Sequence, residues 1–201
     1  MASAKMNFKY TVGIDEVGRG PIAGPVAVGA FVFLKPEAKK LFRGVKESKQ
    51  LSEQKREVWF EIIQGAFKKK LVDFKVTFQS EKIIDTKGLS FAIKNALSTS
   101  LNGLGLNPKE IQVLLDGGLK APVEYINQKT IIKGDEKEMV IALASICAKV
   151  LRDRKMNKLG KKHTQYGFEV HKGYGTRKHY AAIKKYGMLP IHRKSFLKSI
   201  N

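Results

Sequence analysis

The chain has 201 residues, 43% of them hydrophobic and 28% charged, which gives room for a sizeable core and excludes disorder throughout. Lys and Arg number 38 against 18 Asp and Glu, a formal net charge of +20 that points to a polyanionic partner. The one cysteine, Cys147, excludes an internal disulfide, and no apolar run is long enough to span a bilayer. The charge is uneven. Residues 129–201 carry 18 basic groups against 5 acidic, and residues 1–128 carry 20 against 13, so most of the excess lies in the shorter C-terminal part. Met1–Tyr10 has basic residues with no apolar run behind them, so no secretory signal is read there. A cytoplasmic protein with no membrane role is expected.

In chain order, Lys9–Asp15 reads as a strand that ends in two carboxylates, Asp15 and Glu16. A Gly- and Pro-rich turn, Gly18-Arg19-Gly20-Pro21 and Gly24-Pro25, leads to a second strand over Pro25–Leu34, which is β-branched and aromatic. Pro36–Gly44 reads as a polar connection. Ser52 is the expected N-cap of a helix through about Phe67, with Val58, Trp59, Ile62 and Ile63 on one face. Leu71–Phe78 is a predicted strand. Ile83–Leu104 is mostly helical, weakened at Gly88. Ile111–Asp116 is a buried-type strand, again ending in a carboxylate, and Thr130–Lys133 is a short one before Gly134-Asp135. A long helix is expected from about Lys137 to Leu159, with Gly160 as its stop. Gly167–Thr176 reads as a Gly- and aromatic-rich loop, and Arg177–Tyr186 as a shorter helix ended by Gly187. This alternation predicts an α/β fold around a mixed sheet. One domain is expected over residues 1–201, with residues from about 161 to 201 as an appended basic subregion of helix and loop.

Asp15, Asp116 and Asp135 each fall at or just after the end of an apolar strand, and Glu16 follows Asp15. Chemistry in α/β sheets gathers at such ends. Any one acid there is more often a turn residue. Four that converge would repel one another unless neutralised, and carboxylate oxygens suit a hard divalent cation such as Mg²⁺ or Mn²⁺. An acidic pocket in a strongly basic chain makes physical sense if it holds metal against a phosphodiester.

Gly13-Ile14-Asp15-Glu16-Val17-Gly18-Arg19-Gly20-Pro21, followed by Gly24-Pro25-Val26, resembles the signature of the type 2 ribonucleases H, ribonuclease HII. Further blocks follow in that family's order and at similar spacing: Leu115-Asp116-Gly117, Lys133-Gly134-Asp135, Ala144–Val150 with Arg152-Asp153, His171–Thr176 and His192–Phe196. The resemblance spans about Val12 to Phe196. It implies a ribonuclease H-like mixed sheet flanked by helices, with Asp15, Glu16, Asp116 and Asp135 as catalytic, Mg²⁺- or Mn²⁺-binding acids. The implied reaction is hydrolysis of RNA in RNA–DNA hybrids and of DNA duplexes containing single ribonucleotides. Cleavage 5′ to the ribonucleotide leaves 3′-hydroxyl and 5′-phosphate ends. A monomer is expected.

Two glycines let backbone approach a sugar closely, so Gly18, Arg19 and Gly20 suit reading of a 2′-hydroxyl, the role the resemblance gives them; a tight turn whose Arg19 only faces solvent is the alternative. The resemblance also places the Tyr174 ring on the neighbouring deoxyribose; a ring that only anchors its own loop is the alternative. Ser48 and Lys49 resemble an Asp-Ser-Lys element near backbone phosphate, with Glu47 in place of the Asp. Gly88 stands where the family usually has Asn. Lys149, Arg152 and Lys155 fall at helical spacing, as a basic face toward a backbone or an ordinary solvated face. Asp153 reads as a structural ion-pair partner. Arg193 and Ser195 fit packing or phosphate contact. Cys147 reads as a small buried thiol, and no metal role is assigned to His171, His179 or His192. Two other functions fit the residues less well. Ribonuclease HIII is disfavoured by Gly18-Arg19-Gly20 and by the short stretch before Asp15. A non-catalytic nucleic-acid binder is disfavoured by intact acids that would repel phosphate.

Overall fold

The computed structural model describes residues 8–45 and 51–197. Strands β1 (Tyr10–Val17), β2 (Val26–Phe33), β3 (Val72–Gln79), β4 (Ile111–Asp116) and β5 (Gln128–Ile131) form one sheet in the order β3-β2-β1-β4-β5. β1, β2 and β3 pair antiparallel; β4 and β5 join parallel to β1. This is the mixed sheet flanked by helices that the alternation predicted. The helices are α1 (Glu53–Lys68), α2 (Glu81–Lys87), α3 (Leu89–Asn102), α4 (Gly134–Lys137), α5 (Met139–Lys162), α6 (Phe168–His171) and α7 (Arg177–Tyr186).

Side chains alternate across a strand, and the two faces bury different partners. On one face Val12, Ile14, Val28, Val32, Val113 and Leu115 pack with Ala92, Ala96 and Leu97 of α3. On the other, Phe31, Phe33 and Leu114 meet Phe60 and Ile63 of α1 and Ile141, Ala144 and Cys147 of α5. Ile22, Met156, Tyr166, Phe168 and Ile183 form a third apolar cluster in the C-terminal part.

Helix α5 touches the sheet at backbone level. A Cβ on Gly13 would lie 2.2 Å from the carbonyl carbon of Val140, and one on Gly29 would lie 2.4 Å from the Ala144 oxygen. Gly29 pairs directly with Asp15 across β1 and β2. This approach fixes the height of α5 over the end of β1.

Several boundaries differ from the sequence expectation. Pro36–Phe42 is a 3₁₀ helix with Ala38 and Phe42 buried, not a polar connection. Phe42 packs edge-on against Phe31 and Phe33, and that burial outweighs the flanking charges. Ser52 caps α1 by accepting the Lys55 amide. The buried face of α1 is Phe60, Ile63 and Ala66, while Val58 and Ile62 are exposed. The Ile83–Leu104 segment breaks into α2 and α3 at Gly88, whose φ of 87° and ψ of 156° belong to glycine. The short strand before Gly134 is Gln128–Ile131, earlier than Thr130–Lys133. Gly160 does not stop α5, which runs on to Lys162. It is a crossing point, where a Cβ would lie 2.3 Å from a Glu169 carboxylate oxygen. The Gly167–Thr176 loop contains α6, anchored by buried Phe168.

Gly29→Ala should therefore force α5 off the sheet. A loss of about 2–3 kcal/mol, the scale of core overpacking, is expected in urea denaturation.

Candidate active site

Asp15 and Asp116 project from the α5 side of the sheet, two positions after Gly13 and Leu114 respectively. Asp116 is the last residue of β4, and its Oδ1 accepts the Gly134 amide at 2.6 Å. That bond ties the strand end to α4, whose first turn carries buried Asp135. One carboxylate oxygen from each of Asp15, Asp116 and Asp135 falls within 4.8 Å of the others. Asp135 thus stands in a helical turn rather than at a strand end, and still reaches the same point.

Glu16, one residue further along β1, points to the other side of the strand. Its Oε1 accepts Arg19 Nη1 at 2.9 Å, and its buried Oε2 has no hydrogen-bond partner among the described residues. Three of the four predicted acids therefore converge, and Glu16 stands beside them, held by Arg19.

The cluster is electrostatically expensive. Burial first, then the charges of Glu16 and Asp116, push the Asp15 carboxyl up to about 8, although Ser145 and the Glu16 amide hydrogen-bond it. Burial also raises Glu16, which Arg19 partly offsets. A divalent cation fits this donor set: hard oxygen ligands, mutual repulsion and an unpartnered buried oxygen next to them.

The Gly18-Arg19-Gly20 turn follows directly. Gly18 has φ 90°, and a Cβ there would lie 2.3 Å from Arg152 Nε. The Tyr174 ring, about half exposed, lies alongside Gly20, within 3.5 Å of where a Cβ would be. Ser48 and Lys49, and Glu47 with them, lie outside the described residues.

Two buried arginines support this wall. Arg152 donates to the Pro25 carbonyl at 2.9 Å and the Lys172 carbonyl at 3.1 Å. It is fully buried, so Lys149, Arg152 and Lys155 do not make a basic face. Lys149 pairs with Asp153 at 2.8 Å, the structural ion pair expected of that acid. Arg193 is likewise buried and bonds backbone carbonyls, so it packs rather than meeting phosphate. Ser195 donates to Asp85. The sequence reading missed Ser145 as a partner of Asp15; its place in the Ala144–Val150 block was the only signal. Cys147 is buried, and burial pushes its thiol far up. Exposed cations gather at the end of α5 and on α7: Lys158, Lys161, Lys162, Arg177, Lys178 and Lys184.

The ribonuclease HII family model matches residues 12–199. The chain belongs to the ribonuclease HII family. It is 44% identical over 193 residues to a ribonuclease HII of Clostridioides difficile, covering 96% of this chain and 72% of that one. It is 41% identical to one of Caldicellulosiruptor bescii, covering 96% and 89%. Among solved structures, the ribonuclease H2 of Pyrococcus horikoshii superposes with a TM-score of 0.74 at 27% identity, covering 95% of this chain and 96% of that one. Family membership makes this chain a divalent-metal-dependent endoribonuclease that acts on RNA–DNA hybrids. No helix among the described residues is long and apolar enough to cross a membrane.

The cost of the cluster can be measured. Unfolded, the Asp15 carboxyl ionises near 3.8; folded, near 8. Stability falls as pH rises through that window, because the unfolded chain sheds a proton that the folded chain keeps. In EDTA at pH 8, Asp15→Asn should be more stable than wild type by about 1–3 kcal/mol, with the gain shrinking toward pH 4. Urea denaturation at the two pH values checks this.

Proposed function

We propose that Asp15, Glu16, Asp116 and Asp135 are the catalytic acids and hold Mg²⁺ or Mn²⁺, and that the enzyme cleaves 5′ to ribonucleotides embedded in duplex DNA as well as within hybrids. The observation that carries this is one juxtaposition. The Asp15–Asp116–Asp135 cluster opens beside a glycine turn that lies against an exposed tyrosine ring. A bound cation supplies activation of water and stabilisation of a leaving oxygen, so no protein nucleophile is needed. Asp15 and Asp116 hold their oxygens on the α5 side of the sheet, and Asp135 closes the set from α4. Glu16 contributes its unpartnered Oε2. Water adds to phosphorus and the bond to the upstream 3′ oxygen breaks. The upstream nucleotide leaves with a 3′-hydroxyl, its oxygen taking up a proton from the water, and the ribonucleotide keeps a 5′-phosphate.

The backbone of Gly18, Arg19 and Gly20 reads the 2′-hydroxyl, and the Tyr174 ring packs on the next sugar, which lacks one. Ser48 and Lys49 contact backbone phosphate. The exposed lysines of α5 and α7 track the duplex, as the C-terminal basic subregion (residues from about 161 to 201) of a single domain. The enzyme works as a cytoplasmic monomer in replication and in removal of ribonucleotides from DNA. The pairing of an acid cluster with exposed cations on α5 and α7 supports the nucleic-acid part of this reading.

A duplex carrying one ribonucleotide, incubated with and without Mg²⁺ or Mn²⁺, tests it; no cation-dependent cut on the 5′ side would sink it. Asp135→Asn is nearly isosteric and should reduce cleavage more than about 100-fold, at least ~2.7 kcal/mol of transition-state stabilisation, with duplex binding retained. Tyr174→Ala should cost about 1–3 kcal/mol more on the embedded ribonucleotide than on a continuous hybrid. Single-turnover assays on both substrates decide that; equal losses would leave Tyr174 as a loop anchor.

A further inference from the structure

His192 and Arg193 are neighbours in the chain, and each reaches a different part of the wall described above. Arg193 is fully buried and its guanidinium donates to three carbonyls: Nη2 to Gly18 at 2.7 Å, Nη1 to Arg19 at 2.9 Å and Nε to Gly24 at 2.9 Å. Its own amide donates to the Ile22 carbonyl at 2.8 Å, and Ala23 bridges His192. Among the described residues Arg193 makes no ion pair, so its hydrogen-bonding capacity is directed at this one turn.

His192 acts in the other direction. Its Nδ1 lies 2.7 Å from the Leu189 amide and 3.2 Å from the Leu189 carbonyl; taking the shorter contact as the bond, Nδ1 accepts the amide and the proton is assigned to Nε2. Nε2 faces His179 Nε2 at 3.0 Å, and His179 Nδ1 lies 2.8 Å from the Tyr174 carbonyl. With both rings neutral, the donors run Leu189 amide, His192, His179, Tyr174 carbonyl without conflict. Both histidines are buried, and burial holds their proton affinity low, His179 at about 4.

We propose that His192 and Arg193 form a clamp that sets the position of the Tyr174 ring relative to the Gly18-Arg19-Gly20 turn, and are thereby positioning residues for cleavage at a single embedded ribonucleotide. This rests on the reading that the turn and the ring meet two adjacent sugars. The bonds of Arg193 converge from three edges of a planar fork, which an ammonium cannot reproduce. Neither clamp residue bonds Asp15, Asp116 or Asp135. Loosening it therefore alters the geometry between two sugar contacts and leaves the acids in place. A continuous hybrid has a ribose where the ring would meet a deoxyribose, so it depends less on that geometry.

The test is a double-mutant cycle of Arg193→Lys with Tyr174→Ala, reading kcat/KM on the single-ribonucleotide duplex and on a continuous hybrid. Arg193→Lys should lower the ratio of the two by about tenfold, with the thermal shift produced by Mn²⁺ unchanged. In the Tyr174→Ala background it should leave the ratio unchanged, because the clamp acts through the ring. Equal losses on both substrates, or the same change of ratio without the ring, would overturn the clamp. Wild-type enzyme that fails to cut the single-ribonucleotide duplex would instead overturn the functional reading beneath it. If Arg193→Lys does not melt cooperatively, His179→Gln, which removes the donor to the Tyr174 carbonyl, is judged by the same ratio and the same cycle.

Discussion

At Gly13 and Gly29 the backbone of α5 meets the backbone of β1 and β2 with no side chain between them. Much else follows from that contact. It sets Ser145 against Asp15, and it brings the α4–α5 corner, and Asp135 with it, over the end of β4. The Asp116–Gly134 hydrogen bond closes the corner from the strand side. Three carboxylates that repel are thus held together by packing formed elsewhere. A side chain at either glycine would trade that geometry for a looser helix.

The same chain carries a formal net charge of +20, and it spends its cations unequally. Among the described residues most lie exposed, where salt screens them. Arg152 and Arg193 are buried and bonded chiefly to carbonyls. Burying a charge is costly without close partners, and removing those partners costs more than forming them gains. Such a residue is better understood as fixing one geometry than as adding net stability. The geometry fixed here is the irregular stretch from Gly18 to Pro25, which has few ladder bonds of its own. The acids, by contrast, repel one another, and burial together with that repulsion holds the Asp15 carboxyl well above the usual carboxylate range.

Much of this was legible in the sequence. The β-branched runs gave β1, β2 and β4 close to their observed limits, and Ser52 marked the start of α1. Acids at strand ends pointed to the cluster, and the ordered blocks around them pointed to the family. Other features have no distinct signature. Gly160 at a helix crossing looks the same in sequence as a helix stop. Glu37, Lys39 and Lys40 hid the burial of Ala38 and Phe42 beside them. Lys149, Arg152 and Lys155 share a spacing that suits a solvated face, yet Arg152 turns inward because its partners are main-chain carbonyls, which every residue has. Arg193 was noticed, but only tertiary structure distinguishes a guanidinium bound to carbonyls from one waiting for phosphate.

The proposed site of Asp15, Asp116 and Asp135 would take up its cation before any nucleic acid arrives. A Mn²⁺ titration of the free enzyme, followed by electron paramagnetic resonance, tests it most directly. Asp116→Asn is the comparison, since its amide oxygen can still accept the Gly134 N–H while the charge is lost. Saturable Mn²⁺ binding by wild type, weakened at least about tenfold in the variant with its melting transition intact, is the expected result. Equal binding by the two proteins would rule out Asp116 as a ligand of that site.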